Sequence, residues 1–142
     1  MPAAAHQERA IWWAALVSFV LAAATGAFLR FGMVGGLPWG LDFTNVRHAH
    51  SHLMFFSWVT PLLMAFAVSL YGVEEGRRRG LRVAWLALVT GVLTYLPFLL
   101  SGYGRLELFG RDLPVSMMTA GLTGIAWYAF VVLHFAASRG RQ

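Results

Sequence analysis

Residues 11–29 read IWWAALVSFVLAAATGAFL, an unbroken apolar run without aspartate, glutamate or arginine. As a helix rising 1.5 Å per residue it covers about 28 Å, close to the roughly 30 Å hydrocarbon core of a bilayer. Three further runs of the same character follow, at residues 48–71, 83–100 and 115–137. None carries an acid or an arginine in its interior. Four such spans with short connections predict an all-α fold: one integral membrane four-helix bundle occupying residues 1–142, with the lipid bilayer as its main partner. The first run is too long for a cleavable signal peptide, and no small-residue cleavage site precedes a soluble chain.

Composition agrees. The chain is 58% hydrophobic and only 12% charged, against about a quarter charged in ordinary soluble domains. This excludes a disordered tail, most water-soluble enzymes and a nucleic-acid module built on basic stripes. The net charge of +5 is no sign of polyanion binding, because the arginines occupy short gaps between apolar runs. The absence of cysteine excludes disulfides, thiolate metal sites and cysteine nucleophiles.

Arginines in the short flanks set the expected orientation. Arg9, Arg77, Arg78, Arg79, Arg82, Arg139 and Arg141 fall on one side, and Arg30, Arg47, Arg105 and Arg111 on the other. Both termini and the Glu74–Arg82 connection are therefore expected in the cytoplasm, in the inner (plasma) membrane of the cell. Trp39, Phe43, Tyr103 and Phe109 then form an aromatic belt in the glycine- and proline-rich outer loops. Ala22 with Gly26, and Ala120 with Gly124, are small-residue pairs four apart, suited to close helix packing. Thr90, Thr94, Thr119 and Thr123 are expected to add hydrogen bonds between helices. Pro61 lies in the middle of the second span, removes a donor from the Ser57 carbonyl, and predicts a kink.

The chemistry concentrates at Arg47-His48-Ala49-His50-Ser51-His52, where the second span enters from the outer face. Ionisable groups at membrane depth are costly and tend to mark ion pathways or ligand sites. On a helix, His48 and His52 share one face, and His50 points about 160–200° away. His48 and His52 make a chelating pair for a copper or zinc ion, with His6 or a methionine as a further donor; His50 meets a different environment. If His50 binds a heme iron, the second axial ligand must come from another helix or another chain. Met117 and Met118, near the outer end of the fourth span, lie at comparable depth. His134 lies about 24 Å below Met118 along the helix and belongs to the cytoplasmic end.

The stretch RHAHSHLMFFSWVTP, residues 47–61, resembles the second helix of the catalytic subunit of heme-copper oxidases and the related nitric oxide reductases. In that family a histidine near the outer end of helix two binds the low-spin heme. A methionine four positions on and a proline eleven positions on often follow, as Met54 and Pro61 follow His50 here. His48-Ala49-His50, with Leu53, Trp58 and Tyr71-Gly72, also resembles short four-span relatives of that subunit. The resemblance implies heme b on His50 and makes oxidase or nitric oxide reductase subunits the expected partners. It covers about 25 residues; the family's large subunit has many more spans, and its catalytic metal-centre histidines have no counterpart in this chain.

The leading expectation is thus a small heme-b- or copper-binding protein, an accessory or electron-transfer component of a respiratory terminal reductase. His50 ligates iron, opposed by Met118, Met117 or the His50 of a second protomer in a homo-oligomer. Arg30 and Arg47 reach heme propionates at the outer rim; interface anchoring with Asp42 as partner is the simpler role for both. The alternatives are a copper or zinc carrier using His48 and His52, or a purely structural accessory subunit. An enzyme acting alone is disfavoured, since the sequence offers no intramembrane carboxylate pair, activated serine or phosphate-binding glycine loop. Transport is disfavoured because no span is expected to be broken at corresponding positions.

Overall fold

The computed structural model describes residues 3–71 and 74–139; Gly72 and Arg141, invoked above, lie outside them. Helix α1 runs over Ala3–Gly35 and leads through a short 3-10 turn, Pro38–Gly40, into α2, Phe43–His52. A π-helical stretch, Leu53–Val59, joins α2 to α3, Thr60–Tyr71. Helix α4, Glu74–Leu93, and α5, Tyr95–Ser101, form the third span. A small antiparallel hairpin, β1 Leu106–Leu108 and β2 Arg111–Leu113, precedes α6, Val115–Arg139. Four helical stretches, Ala4–Gly35, Phe43–Leu70, Gly76–Ser101 and Val115–Ala137, are long and apolar enough to cross a membrane. The all-α expectation holds apart from the hairpin.

The helices outrun the apolar runs that announced them. Span two starts five residues before His48, because Asp42 caps it by accepting a hydrogen bond from the Asn45 N–H at 2.9 Å. The expected role of Asp42, as partner of Arg30 or Arg47, is replaced by this cap.

The interruption at Pro61 takes a specific form. Thr60 donates its N–H five residues back to Phe55, not four back to Phe56. The residue that would serve Phe56 in the π register is Pro61, which has no N–H. The Phe56 carbonyl therefore lacks a helical donor, and α4 approaches it through Gly91. A Cβ on Gly91 would stand 2.5 Å from that oxygen. Only glycine lets the two backbones meet so closely, with a Cα–H aimed at the orphan acceptor.

Span three is also interrupted. Thr94 donates both its N–H, at 3.1 Å, and its Oγ1, at 2.6 Å, to the Gly91 carbonyl. Helix α5 restarts there, which places Pro97 in its first turn, where a missing N–H goes unused. The interruption expected in span two at Pro61 is joined by an unexpected one in span three, and the two lie side by side where Gly91 meets Phe56.

The core is made of small and branched residues. Ile11, Ala15, Leu62, Ala65, Leu81, Ala84 and Ala87 are buried together with Ala126 of α6. Alanine at these positions lets helices approach closely, the main source of attraction between helices where lipid and side chain are equally apolar. Helix α1, the α2–α3 span and the α4–α5 span pack on one another, whereas α6 makes its main contacts with α4 and α5.

Two packing expectations need correction. Thr90, Thr94, Thr119 and Thr123 bond carbonyls of their own helices, because a carbonyl one turn back is always in reach. The threonine that does bond another helix is Thr25, whose Oγ1 lies 2.9 Å from the Tyr95 hydroxyl. In the Ala120–Gly124 pair no neighbouring helix packs against the glycine, since a Cβ on Gly124 would meet nothing within 4 Å.

The hairpin turns at Phe109-Gly110, where both residues have positive φ, 55° and 71°. This is the two-residue turn whose twist matches that of its strands. It leaves Phe109 98% exposed at the tip.

Candidate functional site

Helix α2 divides its histidines between two faces. His48 and His52, one turn apart, face α5. The His52 ring stacks on Phe98, with centroids 3.8 Å apart and planes 15° apart. Phe56 meets it edge-on at 4.6 Å. His48 lies edge-on to Tyr103 at 4.7 Å. Phe98 is fully buried, so it forms a rigid platform for the His52 ring. Nδ1 of His52 is buried without a hydrogen-bond partner. Asn45 ties the same face to the end of α5: Gly102, at φ 55°, leaves the space that Asn45 Oδ1 fills.

His50 faces the other way, onto α1. Its ring lies over Gly26, where a Cβ would come within 3.0 Å of Cε1. Nδ1 is 2.9 Å from the carbonyl oxygen of Ala22. A carbonyl can only accept, so Nδ1 carries a hydrogen and donates, and Nε2 is the nitrogen that holds the lone pair whenever the ring is neutral. Histidine ligands that bind a metal through one nitrogen commonly fix the other by such a bond, which holds both tautomer and ring orientation. The Ala22–Gly26 pair therefore has a more particular use than helix packing: it admits an imidazole. Thr25, between the two, carries the bond to Tyr95 and so fixes α5 to α1 beside this contact.

The remaining predicted positions are more scattered. Arg30 is exposed on α1, one turn outward from Gly26, and Arg47 is exposed on α2, three residues before His50. The His50–Gly26 contact thus carries an arginine above it on each of its two helices. Met117 and Met118 are about half exposed on α6, at 50% and 55%. Because α6 packs mainly on α4 and α5 while His50 is turned onto α1, the fold does not bring these methionines to the His50 ring. His6 is exposed near the start of α1. His134 stacks on Phe130 at the far end of α6, with centroids 5.9 Å apart. Among the described residues, no three histidine, aspartate or glutamate side chains gather as a metal-holding group. His48, His50 and His52 accordingly form a pair and a single, as their helical spacing predicts.

Sequence reasoning missed Phe98 and the Ala22 carbonyl. Phe98 is one phenylalanine among eleven with no local signal to distinguish it, and a backbone acceptor leaves no mark in the sequence. The one available hint was the run of small residues from Ala22 to Ala27, with Gly26 in it, which lets a neighbouring side chain come close to the backbone. Compared with known proteins, the chain matches no family model, no curated protein and no solved structure.

Proposed function

We propose that this chain is a multi-pass plasma-membrane protein that binds heme b through Nε2 of His50. In this reading it serves as an accessory or electron-transfer component of a respiratory terminal reductase of the heme-copper oxidase or nitric oxide reductase type. Both termini and the Glu74–Arg82 connection lie in the cytoplasm, in keeping with the excess of arginine at that end.

The observation that carries this reading is the bond from His50 Nδ1 to the Ala22 carbonyl. It fixes a hydrogen on Nδ1, the tautomer in which Nε2 is the nitrogen left to donate its lone pair to heme iron. Arg30 and Arg47, on either side of the contact, are the groups that would receive propionates. The packing of α6 favours a second copy or a partner subunit, over Met117 or Met118, as the source of any further residue that would hold the heme. Bound heme would supply one-electron transfer; the chain itself orients the imidazole, shields one face of it with α1, and offers positive charge at the rim.

The test is the heme and iron content of the detergent-purified protein, with and without His50→Ala. A Soret band that disappears in the variant supports the reading. Wild-type protein with neither a Soret band nor stoichiometric iron, after expression with heme supplied, overturns it.

A second reading, a copper or zinc carrier, is favoured by one observation: the buried Nδ1 of His52 without a partner, beside His48 on a shared aromatic wall. Loss of metal in His48→Ala/His52→Ala but not in His50→Ala would select it.

A further inference from the structure

At the opposite end of the molecule, α4 carries a face that the function above does not use. Its inward side is settled by packing. Gly80 lies against Val68 of α3, and Leu81, Ala84, Ala87 and Leu88 are buried in the core. Arg77 also turns inward and pairs with Glu8 of α1 at 2.5 Å, with Ser69 of α3 bonded to the same carboxylate. The outward side reads Arg78, Arg82, Trp85, Val89 and Leu93, spaced four, three, four and four apart, and every one of them is exposed. Charge, then an amphipathic ring, then aliphatic surface follow one another along a single line. From Arg82 to Trp85 is about 4.5 Å, and from Trp85 to Leu93 about 12 Å.

That order repeats the order of a phospholipid: phosphate, glycerol-ester region, acyl chain. We propose that this face of α4 is a binding site for an anionic phospholipid, with Arg78 and Arg82 on the headgroup phosphate, Trp85 at the ester depth, and Val89 and Leu93 beneath the first acyl carbons. The proposal rests on the reading that α4 spans a bilayer, and holds whichever way the chain is oriented. Charge favours an anion here. Seven arginines and three glutamates, Glu8, Glu74 and Glu75, belong to this end of the spans. The pairing of Glu8 with Arg77 removes one carboxylate from competition for the outward arginines. Tryptophan at the headgroup boundary and arginine just beyond it are the side chains that membranes place at these depths.

The experiment uses the full chain, purified in detergent, stripped of lipid, and titrated with phosphatidylglycerol, phosphatidylcholine or inorganic phosphate. Retained lipid is counted by native mass spectrometry. Phosphatidylglycerol should bind saturably and in preference to phosphatidylcholine. Arg78→Gln/Arg82→Gln should weaken it by about tenfold or more, the effect expected of two surface charges. Arg105→Gln/Arg111→Gln, which removes the same charge at the other end, should leave it unchanged. Equal weakening in both double variants, or no preference between the lipids, overturns the proposal. Saturable binding of inorganic phosphate that displaces the lipid also overturns it, assigning the arginines to a free anion. Extraction of the wild-type protein from membranes by alkaline carbonate would instead sink the membrane-spanning reading itself. Protein that resists extraction but shows no lipid preference sinks only the site.

Discussion

The two faces of α2 hold histidine in opposite ways. On the α5 side, His52 is fixed by shape: it is stacked on a buried phenylalanine and met edge-on by another, with its Nδ1 left unsatisfied. On the α1 side, His50 is fixed by a hydrogen bond and by the absence of a side chain at Gly26. An aromatic wall immobilises a ring without choosing its tautomer. A carbonyl chooses the tautomer and leaves the other nitrogen basic. The α1 face thus offers one imidazole nitrogen as a donor, the feature on which the proposed heme site rests, whereas the α5 face holds its ring by shape.

The sharpest way to break this comparison is to remove each ring in turn. His50→Ala should abolish heme binding outright, while His52→Ala should retain the Soret band; equal loss in both would dissolve the distinction. Next in size, Phe98→Ala removes the buried platform and should destabilise the chain by about 3 kcal/mol, read as a lowered unfolding midpoint in detergent. It should do so without altering the ligand set of any bound iron. Gly91→Ala brings a Cβ against the Phe56 carbonyl, and should cost about 1–3 kcal/mol by the same measurement. An unchanged midpoint there would mean that α4 does not approach the π stretch so closely. The smallest effect belongs to Tyr95→Phe, which removes the hydroxyl bonded to Thr25. About 0.6 kcal/mol is expected, typical of polar bonds between helices in a membrane, together with faster hydrogen exchange of nearby α1 amides.

Much of this architecture was legible in the sequence, and the illegible parts share a cause. Hydropathy finds the four spans because it measures transfer of side chains, and the 3.6-residue period separates His50 from His48 and His52 without further information. Neither quantity sees where a backbone donor goes. The π register before Pro61, the restart at Thr94 and the acceptance of His50 by Ala22 are all decided by carbonyls. The hairpin escaped for a related reason. Its turn is Phe109-Gly110, lacking the asparagine or aspartate that usually announces such a turn, so the outer loop read as an aromatic belt. The threonines failed in the reverse sense, because their own helices offered acceptors nearer than any neighbour.

The seven residues from Leu53 to Val59 also act as an angular spacer. A π turn holds more residues than an α turn, so it delays the winding of everything before it relative to everything after it. Wound as ordinary α-helix, the same seven residues would swing the histidine-bearing segment by about 100° against Thr60–Tyr71. The aim of His50 onto α1 is thus a matter of phase, set a full turn or more downstream of the imidazole itself.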